Sequence, residues 1–239
     1  MATRRQLIGG AGAVGAAALM GGCSGLSAAT QGVATAPPGR DLTPDQALQL
    51  LIDGNERFLS GAAVTELSSA QRRLALAQTQ EPFAAYVTCS DSRVPPEVLF
   101  GRGLGELFIV RNAGNTVDTV ALGSIEYAVA VLGVPLIVVM GHERCGAVAA
   151  ATQVVTENAT FPGAIGPMIQ PIIPSVLKVR EEPGDLVDNA VRQNVRDVAA
   201  RLRTQTDPLM QEPLRAGRLK VVGAYYDLDT GRVDFFDRG

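Results

Sequence analysis

Short runs that are almost wholly apolar alternate along this chain with longer amphipathic ones. Phe83-Ala84-Ala85-Tyr86-Val87-Thr88 and Pro135-Leu136-Ile137-Val138-Val139-Met140 are of the first kind, and each reads as a strand buried on both faces of a sheet. Residues 107–111 and 219–226 read as two more strands. Asp229-Thr230-Gly231 turns the second of these back into a last strand over 233–236, as a hairpin. A well-marked helix opens the folded part. Thr43 caps it, Pro44 takes its first turn, Gln46 completes a capping box and Gly61 stops it, while Ala47, Leu50, Leu51 and Phe58 form its apolar stripe. Helical patterns also cover 66–79, 117–131, 146–152, 166–180 (broken by Pro171 and Pro174) and 185–206. Strands alternating with helices predict an α/β domain: a mainly parallel β-sheet flanked by helices, with a C-terminal hairpin strand. Such sheets bind ligands just beyond the carboxyl ends of their strands. Cys89 and His142 follow two of those ends.

With 46% hydrophobic residues and a formal charge of −3, the composition suits one globular domain, set at 41–239. The 21 basic residues are scattered and aromatics make up only 5%, so no basic run interleaved with stacking side chains exists for nucleic acid. Residues 1–29 read as a leader. Thr3-Arg4-Arg5-Gln6-Leu7-Ile8 is a basic tip of the twin-arginine kind, and the apolar stretch after it, ending at Met20, is shorter than the ~20 residues that span a bilayer. Met20-Gly21-Gly22-Cys23 resembles a lipoprotein box in which Cys23 becomes the lipidated first residue. Cleavage after Ala29, in Ser27-Ala28-Ala29, is the rival. Residues 30–40, with Pro37-Pro38, read as a linker. The expectation is export, to the periplasm or the outer face of the cytoplasmic membrane, with membrane contact only through a lipid on Cys23.

The candidate chemistry lies in two segments, Cys89-Ser90-Asp91-Ser92-Arg93 and His142-Glu143-Arg144-Cys145. They hold the only histidine and two of the three cysteines. Two thiols and an imidazole suit zinc, and three ligands leave a fourth corner for water, substrate or the nearby Asp91. Three readings compete. A Cys89–Cys145 disulfide fits an exported protein but leaves His142 and the Asp91/Arg93 pair without a role. A structural zinc would take Asp91 as its fourth ligand. A catalytic zinc is favoured, because the ligands sit at strand ends rather than in a small knuckle. Two thiolates cancel the charge of the ion and weaken its Lewis acidity. Asp91 can then help by accepting a hydrogen bond from the bound water, while Arg93 holds that carboxylate off the metal in a two-pronged pair.

Cys89-x-Asp91-x-Arg93 with His142-x-x-Cys145 resembles the β-class carbonic anhydrases. The likeness extends through Val94-Pro95-Pro96-Glu97, Val110-Arg111-Asn112-Ala113-Gly114, Ser124-Ile125-Glu126-Tyr127 and Gly141-His142, from Leu42 to the C-terminus. It implies reversible hydration of carbon dioxide to bicarbonate and a proton by a zinc-bound hydroxide. One zinc per subunit would be held by Cys89, His142 and Cys145, with Asp91–Arg93 as the catalytic dyad and Asp91 able to join the ligands when the dyad breaks. In the plant-type arrangement of that family a glutamine stands nine residues before the first cysteine, where this chain has Gln80. Phe108 and Tyr127 match its pocket aromatics. The other arrangement tends to carry a tryptophan where this chain has Tyr86, so the resemblance favours the open, water-bound form. It also implies that Gln80 and the backbone N–H of Gly146 steady the product oxygens, and that the protein is a homodimer or higher even oligomer.

Two rivals share the fold and the metal: a hydrolase of carbon disulfide or carbonyl sulfide, and a non-catalytic zinc- or bicarbonate-binding surface protein. For the leader, deleting Arg4-Arg5 is expected to leave the precursor in the cytoplasm. Cell fractionation checks this, and unchanged export would refute the route.

Overall fold

A computed structural model describes residues 39–62 and 68–239. The leader expected over 1–29, with Arg4, Arg5 and Cys23, lies outside the described residues, as does the linker up to Pro38.

Five strands among the described residues form one sheet in the order β2-β1-β3-β4-β5. They are β1 (Ala84–Cys89), β2 (Leu107–Asn112), β3 (Leu136–His142), β4 (Lys220–Tyr226) and β5 (Val233–Asp237). The first four run parallel, and β5 turns back against β4 as the hairpin pattern predicts. Every residue of β1 and β3 is buried, which is why these segments are apolar without alternation. At the sheet edge, β2 is half-buried throughout.

Helices cover both faces. On one, α1 (Pro44–Leu59) and α5 (Gly146–Glu157) contribute to a core with Leu51, Tyr86, Phe100, Met140 and Val148. On the other, α4 (Thr119–Ala130) packs Ile125 with Val87, Ile137, Val139 and Leu202. Both halves of the capping box at Thr43 form: the Gln46 N–H donates to Thr43 Oγ1 at 3.2 Å, and the Thr43 N–H donates to Gln46 Oε1 at 2.8 Å. Asn55 of α1 is buried and fully used. Its amide donates to the carbonyls of Leu99 and Gly231, and its oxygen accepts the Val233 N–H. The long helix α8 (Leu186–Arg203) crosses β3 and β4 at close range. A Cβ on Gly141 would fall 2.6 Å from Val191 and 2.8 Å from Val195 of α8, so only glycine lets the end of β3 approach this closely.

Elements differ from the pattern where prolines or capping residues intervene. Of the stretch expected over 66–79, the described residues 68–79 form α2 (Ala70–Ala75), capped by Ser69. α5 runs five residues past the expected 152, to Asn158 in a left-handed conformation. The stretch 166–180 divides into α6 (Ile165–Ile169), a 3-10 turn and α7 (Ile173–Val179), since Pro171 and Pro174 each remove a backbone donor. Two short helices were not evident in the pattern, α3 (Pro96–Leu99) and α9 (Pro208–Arg215). The second starts on an Asp207 cap and carries Pro213 inside. No helix among the described residues is long and apolar enough to cross a membrane.

Candidate metal centre

Parallel neighbours β1 and β3 set Thr88 opposite Met140, so their carboxyl ends lie side by side at one edge of the sheet. Cys89 closes β1, His142 closes β3, and Cys145 caps α5 three residues later. One ligand atom from each lies within 4.8 Å of the other two.

The two sulfurs are 3.9 Å apart and are free thiols, not a disulfide. Two thiolates held tetrahedrally at ~2.3 Å from one ion would stand about 3.8 Å apart, so the spacing already fits zinc. His142 is fully buried. Its Nδ1 lies 2.9 Å from the Glu143 carbonyl, which fixes the tautomer by accepting that N–H. Its Nε2 is buried with no hydrogen-bond partner among the described residues. Leaving such a group unsatisfied costs roughly 1–3 kcal/mol, and a metal ion on the bare lone pair would remove that cost. The donor set suits a borderline-soft divalent ion.

Charge in the cluster is arranged to suit. A hydrogen bond from Cys145 lowers the ionisation of Cys89 to about 4, whereas the same bond and burial push the Cys145 thiol up. A divalent cation between the two sulfurs would displace the protons they carry. Backbone support comes from both sides. Cys145 sits at the N-terminus of α5, where the Ala147 and Val148 N–H groups favour its thiolate. Cys89 receives the Gly114 N–H at 3.4 Å.

Asp91 is turned toward Arg93. The guanidinium donates to both carboxylate oxygens, at 2.9 and 2.7 Å, and the Arg93 backbone N–H adds a third bond at 2.9 Å. Those bonds hold the Asp91 carboxyl well below the usual carboxylate range. Asp91 Oδ2 is still 3.9 Å from His142 Nε2, at the rim of the cluster rather than within it. Arg111 was visible in the sequence only as part of a longer stretch, yet it secures this loop: its guanidinium donates to the carbonyls of Cys89 at 2.9 Å and Asp91 at 2.6 Å. The opposite loop is gripped by the β4–β5 hairpin. Glu143 donates its N–H to Tyr226 and accepts from Leu228, and Arg144, at a left-handed φ of 51°, forms a two-pronged pair with Asp229.

The remaining candidates are placed elsewhere, apart from Gly146, which is exposed at the start of α5 next to Cys145. Phe108 and Tyr127 face each other, ring centres 6.2 Å apart, and Phe108 packs against the core that does not contain the cysteines. Phe108 is in register with Ala85, four residues before Cys89 and so about 13 Å down the strand. Gln80, exposed, precedes the same amino end of β1. One chain therefore holds Gln80, Phe108 and Tyr127 at the end of the strands opposite the cysteines. Tyr86, where the other arrangement tends to have tryptophan, is buried against Phe100 with its hydroxyl on Met140 Sδ.

Comparison with known proteins agrees with this geometry. The sequence profile of the carbonic anhydrase family matches residues 84–233. A carbonic anhydrase of Mycolicibacterium smegmatis is 41% identical over 191 residues, covering 80% of this chain and 92% of the relative. Carbonic anhydrase 2 of Mycobacterium tuberculosis is 41% identical over 190 residues, covering 80% and 91%. Among solved structures, a tetrameric β-carbonic anhydrase of the filamentous ascomycete Sordaria macrospora superposes with a TM-score of 0.64 at 27% identity, over 79% of this chain and 96% of its own. A Coccomyxa β-carbonic anhydrase gives 0.60 at 27% identity, over 79% and 86%.

His142→Ala is expected to weaken zinc binding by more than the ~10–100-fold that loss of an outer-shell partner costs. Metal analysis after gel filtration reads this, and a variant that kept its full zinc content would remove His142 from the centre.

Proposed function

The chain belongs to the carbonic anhydrase family, in its β class, and from that premise we propose how its residues divide the work. It is a zinc enzyme that catalyses the reversible hydration of carbon dioxide to bicarbonate and a proton. The reading is carried by the bare, buried Nε2 of His142 beside two thiols at tetrahedral spacing.

Cys89, His142 and Cys145 hold the metal. When bound, zinc supplies the Lewis acidity that brings the ionisation of a water toward neutral pH. Asp91 accepts a hydrogen bond from the attacking water and so orients it toward carbon dioxide. Arg93 fixes that carboxylate in its accepting direction and restrains it from joining the ligand set. The Gly146 N–H, exposed next to Cys145, is set to donate to a product oxygen.

Gln80, Phe108 and Tyr127 complete the pocket of a second copy, and the enzyme works as a homodimer or higher even oligomer. Their position at the far end of the strands supports this, and so does the surface around them. Along α4, Val120, Tyr127 and Val131, just past its end, are 77%, 47% and 60% exposed, next to the unpaired edge of β2. A helix apolar on its outer side as well as its inner one calls for cover. Export remains the reading for the leader, on the strength of Arg4-Arg5 and the small residues around Cys23 and Ala29.

Stopped-flow hydration of carbon dioxide by the protein from Thr30 onward tests the dyad. Asp91→Asn and Arg93→Ala are each expected to lower kcat/KM about 10–100-fold with zinc content unchanged, and wild-type rates in both would overturn it. Val120→Glu is expected to give a monomer by analytical ultracentrifugation, zinc-loaded but nearly inactive. An active monomer would show that one chain suffices.

A further inference from the structure

One contact of the centre has no part in the mechanism above, the Gly114 N–H on Cys89 Sγ. Gly114 lies in the tight turn after β2 with φ 74° and ψ 20°, a left-handed conformation that glycine adopts without strain. A side chain there would also collide, since its Cβ would lie 2.5 Å from Ile172 Cδ1. Behind the turn stands Asn194 of α8, only 2% exposed, whose Nδ2 donates to the Gly114 carbonyl at 2.9 Å. A buried amide is retained at a cost unless its hydrogen bonds are used. This one reaches back 80 residues to the turn that touches a metal ligand. Fixing the carbonyl on one side of Gly114 fixes, through its φ and ψ, the N–H on the other.

The two sulfurs differ in what supports them. Cys145 has the N-terminus of a helix, whereas Cys89 ends a strand and has none. Two thiolates blunt the Lewis acidity of a divalent ion, and hydrogen bonds to sulfur restore part of it by drawing charge off the ligand. The Gly114 N–H gives Cys89 what the helix gives Cys145.

We propose that Asn194 is a positioning residue of the metal centre: through the Gly114 carbonyl it holds the Gly114 N–H against Cys89 Sγ, and that hydrogen bond tunes how strongly the sulfur donates to the metal. The proposal rests on the assignment of zinc to Cys89, His142 and Cys145.

Cobalt(II) exchanged for zinc in the full domain reports on this through its sulfur-to-metal charge-transfer band. Three forms are compared with the wild type: Asn194→Ala, a form with glycolic acid in place of Gly114 (an ester oxygen where the N–H was), and the two changes combined. Near-ultraviolet circular dichroism checks that each is folded. The ester form keeps Asn194 and its packing, so it isolates the N–H. Both single forms are expected to move the band to longer wavelength, because a thiolate freed of its hydrogen bond is the more electron-rich donor. The combined form is expected to move it no further than the ester alone. A band at the wild-type position in the folded ester form overturns the role of the hydrogen bond. Shifts that add in the combined form overturn the route through Asn194. Absence of any thiolate band in the wild type would instead overturn the zinc assignment itself.

Discussion

The protein buries a cluster that its own groups cannot satisfy. His142 has one nitrogen committed to a carbonyl and the other without a hydrogen-bond partner among the described residues, and two sulfurs lie 3.9 Å apart beside it. Around them the core is largely apolar, with Val148 and Ile172 among its members, and the Asp91 carboxylate stays at the rim, drawn toward Arg93. Only a cation satisfies all three donors at once, and it does so at the separation the sulfurs already have. The rest of the architecture can be understood as what keeps those three atoms in place against their own preference for water or for each other.

Two loops from neighbouring parallel strands carry the donors, and each is restrained from outside. Arg111 pins the first by two backbone carbonyls. The hairpin pins the second through Glu143 and Asp229, and so holds Arg144 in a backbone conformation that few side chains adopt willingly. Preorganisation of this kind matters for a small, weakly binding gas. Carbon dioxide offers little binding energy with which to reshape a site, so the site must be in shape beforehand.

Much of this was legible in the sequence. Unbroken apolar runs marked β1 and β3, because strands covered on both faces have no reason to alternate, and the ligands stood at the ends of those runs. The rest depends on contacts that one-dimensional pattern does not encode. α9 starts on an Asp207 cap with Pro208 in its first turn and carries Pro213 inside, a helix too short and too proline-rich to show an apolar periodicity. Gly114 and Asn194 act through backbone groups and a fixed turn, which residue identity does not reveal. Gln80, Phe108 and Tyr127 were recognisable as a set. Their distance from the cysteines follows from where β1 begins, and that is a fact of the sheet rather than of spacing.

Asn55 carries a mechanical meaning. Its side chain joins α1 to the carbonyls of Leu99 and Gly231 and to the N–H of Val233, the end of α3 and the β4–β5 hairpin. Peeling that helix away would strand a buried amide along with the three backbone groups it serves, so α1 and the hairpin are expected to open together. The same hairpin grips the loop that carries His142 and Cys145, so loosening α1 would be felt at the metal centre through Asn55.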